Sequence, residues 1–355
     1  MPLRFDTLSA LLNHGFDTVI DVRSPAEFAE DHIPGAINLP AMSNDERAQI
    51  GTIYTQDSPF KARKLGAAIV SRNVANHLEG PLAGKSGDWR PLVYCWRGGQ
   101  RSGSVAIILQ QIGWRAETVE GGYQSYRRLI HDAMYNQTSG YRFILLDGYT
   151  GTAKTEILHH LAERSVQTLD LEGAANHRGS MLGGYAGNQP SQKAFESRLA
   201  GQLAGFDPDV PVLVEAESSK IGKLNIPPAI WKPMLSAPAI TLRAPLAARV
   251  EYLVETYQDV ISDRDELLAR LQPLRQFRGH DLVDQWTQWL KQGELAAFAE
   301  SIVTNHYDPA YSKSQIKSVV TETIEMASLS QADLMRAADK VEQAITSIAE
   351  RQFRQ

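Results

Sequence analysis

The spacing of apolar positions changes repeatedly along the chain, and each change marks an element. Thr18-Val19-Ile20-Asp21-Val22 predicts a buried strand, Pro25 to Asp31 a short helix, and Pro91-Leu92-Val93-Tyr94 a second strand. Val105, Ile108, Leu109 and Ile112 fall on one helical face, which predicts a helix over Ser102 to Gln111. A second round begins at Phe143-Ile144-Leu145-Leu146, an unbroken apolar run suited to a central strand, and continues with a helix from Lys154 to Arg164. Val210 to Val214 and Ala239 to Leu242 are further buried strands. Beyond Arg249 the pattern is mostly helical, and its last helix, Ser330 to Arg351, either packs a core or joins a second copy.

Strands alternating with helices predict an α/β fold with parallel sheets. The polar stretch Asp132 to Gly140, including Asn136-Gln137-Thr138-Ser139-Gly140, has the composition of a linker. The expected domains are therefore residues 1–135, a parallel-sheet α/β domain; 136–260, a doubly wound α/β domain; and 261–355, a helical C-terminal region packed on the second.

At 355 residues the chain is long for a single core, which agrees with that division. Hydrophobic residues make up 43% and charged residues 22%, an ordinary globular composition. The absence of a membrane-spanning apolar run, and of a signal-peptide pattern at MPLRFDTLSALL, leads us to expect a cytoplasmic protein without membrane contact. A single cysteine excludes an intrachain disulfide and a cysteine-rich zinc cluster, and no dedicated metal-ligand set stands out. The net charge of -5 gives no overall basic field, so a nucleic-acid partner must meet a local cationic patch. Arg127-Arg128, Lys61-Arg63-Lys64 and Arg270/Arg275/Arg278 are the candidates, each equally readable as a solvated charge run.

The lone cysteine sits where it can react. Cys95 follows the strand at Tyr94 and opens Cys95-Trp96-Arg97-Gly98-Gly99-Gln100-Arg101-Ser102, which runs into a helix. Such a loop turns backbone amides inward, and their dipoles, with Arg97 and Arg101, favour the thiolate over the thiol. A buried structural cysteine is the bland alternative, at odds with the arginines and glycines around it. Cys95 and Arg101 also fit the C-x5-R spacing of cysteine phosphatases, and the loop alone does not separate the two chemistries.

The flanking motifs do. Asp21-Val22-Arg23-Ser24-Pro25, His32-Ile33-Pro34-Gly35-Ala36 and Glu120-Gly121-Gly122-Tyr123 occur in that order, and over about 120 residues they resemble the rhodanese family. That resemblance implies a cysteine carrying sulfur or selenium. The loop is one residue longer than in the common single-domain form, room for a phosphate-bearing donor. His32 and Asp21 are expected to be structural, the first in a turn and the second paired with Arg23.

Gly148-Tyr149-Thr150-Gly151-Thr152-Ala153-Lys154-Thr155 lies between a strand and a helix, the context a phosphate loop requires. Its amides would surround a diphosphate, Lys154 would neutralise it, and Thr155 would be placed to ligate Mg²⁺. Ala153 stands where a glycine is usual. Glu215 and Glu217, after the strand Val212-Leu213-Val214, share a face if the strand continues and are candidates to hold a metal or act as a base. Asn176, His177 and Arg178 form a polar cluster just past a strand, where Arg178 can fork onto a phosphate and His177 can donate to a leaving diphosphate or cap a turn. Arg243 and Arg249 are either phosphate ligands or surface charges.

Asp170-Leu171-Glu172-Gly173-Ala174-Ala175-Asn176-His177-Arg178-Gly179-Ser180, Gln189-Pro190-Ser191-Gln192 and Glu217-Ser218-Ser219-Lys220 together resemble the tRNA 2-selenouridine synthase family, and the likeness runs to about residue 310. The resemblance implies a rhodanese-like domain fused to a P-loop domain. It implies a selenotransferase and geranyltransferase acting on the wobble 2-thiouridine of tRNA. Geranyl diphosphate would alkylate the sulfur, and selenium from selenophosphate would then displace the S-geranyl group to give 2-selenouridine, with Cys95 carrying selenium as a selanyl group. No tightly bound cofactor is expected beyond a possible Mg²⁺ requirement, and the implied partners are tRNA and the enzyme supplying selenophosphate. The prenyl tail needs an apolar groove, for which Ile221 to Met234, with Pro227-Pro228 and Trp231, is the candidate if it is not core. A P-loop kinase or ATPase with a rhodanese sulfur-carrier domain is the alternative.

Overall fold

In a computed structural model the protein is described over residues 1–355 apart from 137–139, 181, 185–186, 315–319 and 353–355. It divides into two compact units. Unit 1 comprises residues 1–137 and 191–205, and unit 2 comprises 138–190 and 206–355.

Unit 1 is built on four parallel strands, β1 (Thr18–Asp21), β2 (Ile37–Asn38), β3 (Pro91–Tyr94) and β4 (Glu117–Thr118), in the order β2-β1-β3-β4. Between them run α1 (Pro25–Glu30), α2 (Asn44–Gln56), α3 (Pro59–Glu79) and α4 (Gln100–Ile112), and α5 (Gly122–His131) follows β4. The strands carry apolar residues on both faces because helices cover both, as parallel sheets require. Ile20, Val22 and Val93 pack against Ile69 and Val70 of α3 and Leu109 of α4. The chain moves to one side of β1 to form β2 and to the other to form β3. This reversal opens a crevice at the carboxyl ends of β1 and β3, where Cys95 begins. The stretch expected to be linker is helical at its start, since Asp132–Asn136 continues α5 as a π-turn.

Unit 2 begins with β5 (Phe143–Gly148), α6 (Lys154–Glu163), β6 (Thr168–Leu169) and α7 (Leu171–Ala175). Helix α8 (Gln192–Ala204) then belongs to unit 1, where Ser197 Oγ and Tyr123 Oη both donate to the buried Asp31 carboxylate at 3.0 and 2.8 Å. Back in unit 2 come β7 (Val212–Glu215), the hairpin β8 (Lys220–Ile221) and β9 (Leu224–Asn225), β10 (Ala239–Arg243) and α9 (Leu246–Thr256). The rest is α10 (Arg264–Leu271), α11 (His280–Gln292), α12 (Leu295–Ile302), α13 (Asp308–Ser314), β11 (Val320–Glu325) and α14 (Gln331–Gln352).

The sheet order is β11-β10-β5-β7-β6, all parallel, with β5 at the centre. Strand β11 lies inside the stretch read from sequence as mostly helical. It pairs with β10 at the sheet edge, and its pattern is mostly exposed, with only Ile324 buried, so no apolar run announces it. Helix α14 is a core helix: Leu334, Ala338, Val341 and Ile348 join Ile144, Leu146 and Ile324 in one cluster. The helices between β10 and β11 form a separate apolar cluster around the fully buried Trp286.

Candidate functional site

Each unit places a loop and a helix N-terminus at the carboxyl end of a buried strand. In unit 1, β3 ends at Tyr94 and the chain turns through Cys95 to Gly99 before α4 starts at Gln100. Cys95 is only 3% exposed. Burial pushes its thiol toward the neutral form, but the Ser102 hydroxyl at 3.2 Å, the Ser102 and Gly99 amides and the Arg101 charge outweigh it, so the pKa lies below the ordinary value of 9.0. Arg101 also pairs with Glu27 at 3.1 Å, and Arg97 is exposed at the rim. Arg101 thus acts on the sulfur through its charge, and Arg97 lies two residues along the loop.

The glycines after β4 have a steric reason. Gly122 has φ +55°, and a Cβ there would lie 2.2 Å from the Cys95 carbonyl oxygen. That close approach lets the first amides of α5, Tyr123 and Gln124, donate to the carbonyls of Cys95 and Trp96 at 2.8 and 3.0 Å. Asp21 and Arg23 form a buried ion pair at 2.6 Å, with the guanidinium 3.9 Å over the Tyr123 ring. His32 donates from Nδ1 to the Phe28 carbonyl and stacks on the Phe28 ring. All of these hold the loop's surroundings rather than touch the sulfur. Beside the loop, a cavity of about 770 Å³ is lined by Trp96, Arg127, Arg128, His131 and Lys193. Arg127 pairs there with Glu196, and Lys193 pairs with Glu30 at 2.6 Å.

In unit 2, β5 ends at Gly148 and α6 starts at Lys154. The turn encloses a cavity of about 290 Å³ that Thr150, Gly151, Thr152, Ala153, Lys154 and Thr155 line on one side. Gly148 does not line it. Its amide donates to the Tyr311 hydroxyl at 3.2 Å, and its carbonyl accepts from Lys154 Nζ at 2.8 Å. Ala153 adopts φ +57°, the left-handed conformation, which explains why a glycine is usual there and puts local strain into this loop.

Acids face the lysine. Thr155 Oγ1 lies 3.0 Å from Glu172 Oε2 and 2.9 Å from Glu215 Oε1, and Glu215 also accepts from the Glu172 amide at 3.1 Å. Glu172 and Glu217 line the cavity, whereas Glu215 is fully buried behind it. Strand β7 stops at Glu215, so the alternation expected to pair Glu215 with Glu217 does not hold; the chain bends, and Glu217 N donates to Glu215 O at 2.9 Å. The three carboxyls are held above the usual carboxylate range, in each case first by burial. Glu217 acts next on Glu172 and Glu172 next on Glu215, while Lys154 partly offsets the rise at Glu217.

Of the Asn176, His177 and Arg178 cluster only Arg178 reaches the cavity, with its guanidinium 4.7 Å over the Tyr257 ring. Asn176 takes φ +49° at the end of α7 and donates to the Asn188 carbonyl at 3.3 Å. This reversal turns His177 away. Its Nδ1 is buried without a hydrogen-bond partner among the described residues, and burial, then Arg270, favours the neutral ring. Arg249 is no phosphate ligand. Buried at 5% exposure, it donates from Nε and Nη2 to the Thr150 carbonyl at 3.0 and 2.8 Å and pairs with Asp308 at 2.6 Å, which fixes the loop from behind. Arg243 is exposed and faces Glu325 at 3.6 Å. The groove expected between Ile221 and Met234 lines neither cavity, because Ile221, Leu224, Ile226, Ile230 and Met234 are core.

Tyr257, Tyr307 and Tyr311 complete the cavity wall, and sequence reasoning missed them. Tyr257 comes from the end of α9, and Tyr307 and Tyr311 from α13 and the turn before it, more than a hundred residues past the loop, with no local motif. Glu172 was visible inside a motif but carried no role.

Known proteins resemble both units. Residues 141–281 match the family described as tRNA 2-selenouridine synthase AAA domain, and residues 5–129 match the rhodanese-like domain. The tRNA 2-selenouridine synthase of Nitrosomonas europaea is 36% identical over 243 residues, 67% of this chain and 63% of that protein, which is less than two thirds of its length. The protein of that name from Aeromonas salmonicida is 33% identical across 82% of this chain and 86% of its own. The one from Alcanivorax borkumensis is 34% identical across 86% and 91%.

Proposed function

The chain belongs to the tRNA 2-selenouridine synthase family, and on that premise we propose that it exchanges the sulfur of wobble 2-thiouridine in tRNA for selenium in two steps. In the first, the uridine sulfur takes the geranyl group of geranyl diphosphate: a carbon–sulfur bond forms, the carbon–oxygen bond to diphosphate breaks, and the N3 proton of the base is released. In the second, selenium displaces the thioether at C2, geranylthiol leaves, N3 regains a proton, and the phosphoryl group of selenophosphate ends on water as phosphate. The net exchange involves no oxidation or reduction.

What carries the reading is the presence, in one chain of this family, of a sulfur whose pKa is lowered by Ser102, the loop amides and Arg101, and of a lysine-bearing phosphate loop, at the carboxyl ends of two different sheets. Cys95 is the nucleophile of the selenium step: its sulfur takes the phosphoryl group of selenophosphate as the phosphorus–selenium bond breaks, the freed selenide goes to C2, and water then releases phosphate from the sulfur, with Arg97 and Arg101 beside it for the anionic donor. Thr150 to Thr155 and Arg178 hold the diphosphate, whose leaving is favoured by Lys154. The oxygen donors Thr155, Glu172 and Glu217 suit a hard cation, and a bound Mg²⁺ would add charge neutralisation at the diphosphate. The cavity of Trp96, Arg127 and Arg128 offers an aromatic face and cations to an unstacked nucleotide. Selenophosphate would come from a separate supplying enzyme.

The test is nucleoside mass spectrometry after incubation with 2-thiouridine tRNA, geranyl diphosphate and selenophosphate, each omitted in turn. Omitting selenophosphate should leave S-geranyl-2-thiouridine, and omitting geranyl diphosphate should leave 2-thiouridine unchanged. Formation of 2-selenouridine without a prenyl donor would refute the two-step route.

A further inference from the structure

The phosphate cavity has a second chamber. Thr150, Ser180, Leu253, Tyr257 and Tyr307 line it and also line a small space of about 50 Å³ that runs on between α9, α10 and α12. All the polar side chains of the slot belong to this shared mouth. Beyond it every lining side chain is apolar, with Val260, Ile261, Leu267, Phe298, Ala299 and Ile302 forming the inner walls.

This gradient selects its occupant. Water needs polar partners to enter a cavity, and an aliphatic and aromatic lining provides none, so such a space stays dry and accepts hydrocarbon. The base and ribose of a nucleotide would leave their hydrogen-bonding groups unmatched there. At the other end stand Lys154 and Arg178, and burial pushes the Tyr307 phenol up to about 12, which keeps it a neutral hydroxyl at the mouth. An anion cradle leading directly into a dry slot matches an amphiphile with a diphosphate head and a hydrocarbon tail.

We infer that this slot holds the tail of the prenyl diphosphate donor, and that Phe298, Ala299 and Ile302 on α12 set the tail length the protein accepts. The inference rests on the two-step reading for the identity of the donor. It places the tail among helices beyond the sheet, far in sequence from the segment 221–234.

Full-length protein is assayed for transfer from dimethylallyl, geranyl and farnesyl diphosphates to 2-thiouridine tRNA, with binding of inorganic diphosphate as the head-group control. Ala299→Phe, which fills the slot, should lower kcat/KM for the geranyl donor on the order of tenfold more than for the dimethylallyl donor. Phe298→Leu, which enlarges it, should raise farnesyl relative to geranyl transfer. Both should bind inorganic diphosphate as the unmodified protein does. If Ala299→Phe fails to fold, the donor ratio of Phe298→Leu decides alone. Unchanged donor preference with diphosphate still bound overturns the slot assignment while the two-step reading stands. An unmodified protein that transfers none of the three donors overturns that reading and the slot assignment together.

Discussion

The cysteine loop of unit 1 and the phosphate loop of unit 2 are the same device used in two ways. Each follows a buried parallel strand and opens a helix, so each gathers backbone amides around one point. In unit 1 that point is filled by the protein's own sulfur, held by Ser102 and the loop amides within a few residues of chain. In unit 2 the point is a cavity, and its walls come from α7, the turn after β7, α9 and α13. A reactive sulfur that belongs to the chain needs only local structure to hold it. An anion that arrives from outside needs walls from distant segments, cations to receive it and acids to be matched.

The comparison can be broken at several places. The largest expected effect is on the distant support of the phosphate loop. Arg249→Leu removes a buried ion pair and both bonds to the Thr150 carbonyl, and should cost roughly 3 kcal/mol in urea unfolding, with unit 1 signals and Cys95 reactivity unchanged. A smaller effect belongs to the local support of the cysteine loop. Ser102→Ala removes the hydroxyl on the sulfur and should slow alkylation of Cys95 at neutral pH several-fold, roughly what one hydrogen bond to a charged group contributes, with diphosphate binding unaffected.

The sulfur also makes stability depend on pH. Its folded pKa lies below that of the unfolded chain, so its ionisation stabilises the fold fully above the unfolded value near 9.0 and the gain is lost as pH falls through the lower folded pKa. The stability of the protein relative to its Cys95→Ala variant should therefore rise from neutral pH toward 9.0, measured by urea titration at several pH values. The smallest effect is at Ala153. Ala153→Gly relieves a left-handed alanine and should raise stability by about 1 kcal/mol at most, since glycine gives back part of that gain in the unfolded chain.

The same contrast explains what was legible in the sequence. The sulfur site is local, so Cys95, its helix and the glycines that close over it stand in short motifs with a physical reason for each residue. Thr150 to Thr155 were equally plain. The rest of the phosphate site was read in part: Arg178 reaches the cavity, but Asn176 turns the chain so that His177 does not, a left-handed residue that no spacing rule marks. The pairing of Glu215 with Glu217 assumed a strand that continues past Glu215, where it in fact stops. Tyr257, Tyr307 and Tyr311 carry no signature because only the fold brings them near the loop. Strand β11 escaped for a related reason, since an edge strand with one buried residue lacks the apolar run that identified β5, β7 and β10.

The central claim is that two centres divide the chemistry, selenium at Cys95 and the prenyl diphosphate at Lys154. Nucleosides from 2-thiouridine tRNA treated with both donors test it most directly when Cys95→Ala and Lys154→Ala proteins are compared with the unmodified one. The account predicts that the cysteine variant accumulates S-geranyl-2-thiouridine without 2-selenouridine, while the lysine variant leaves 2-thiouridine largely unreacted. A folded cysteine variant that no longer geranylates, or a lysine variant that geranylates at the full rate, would contradict it.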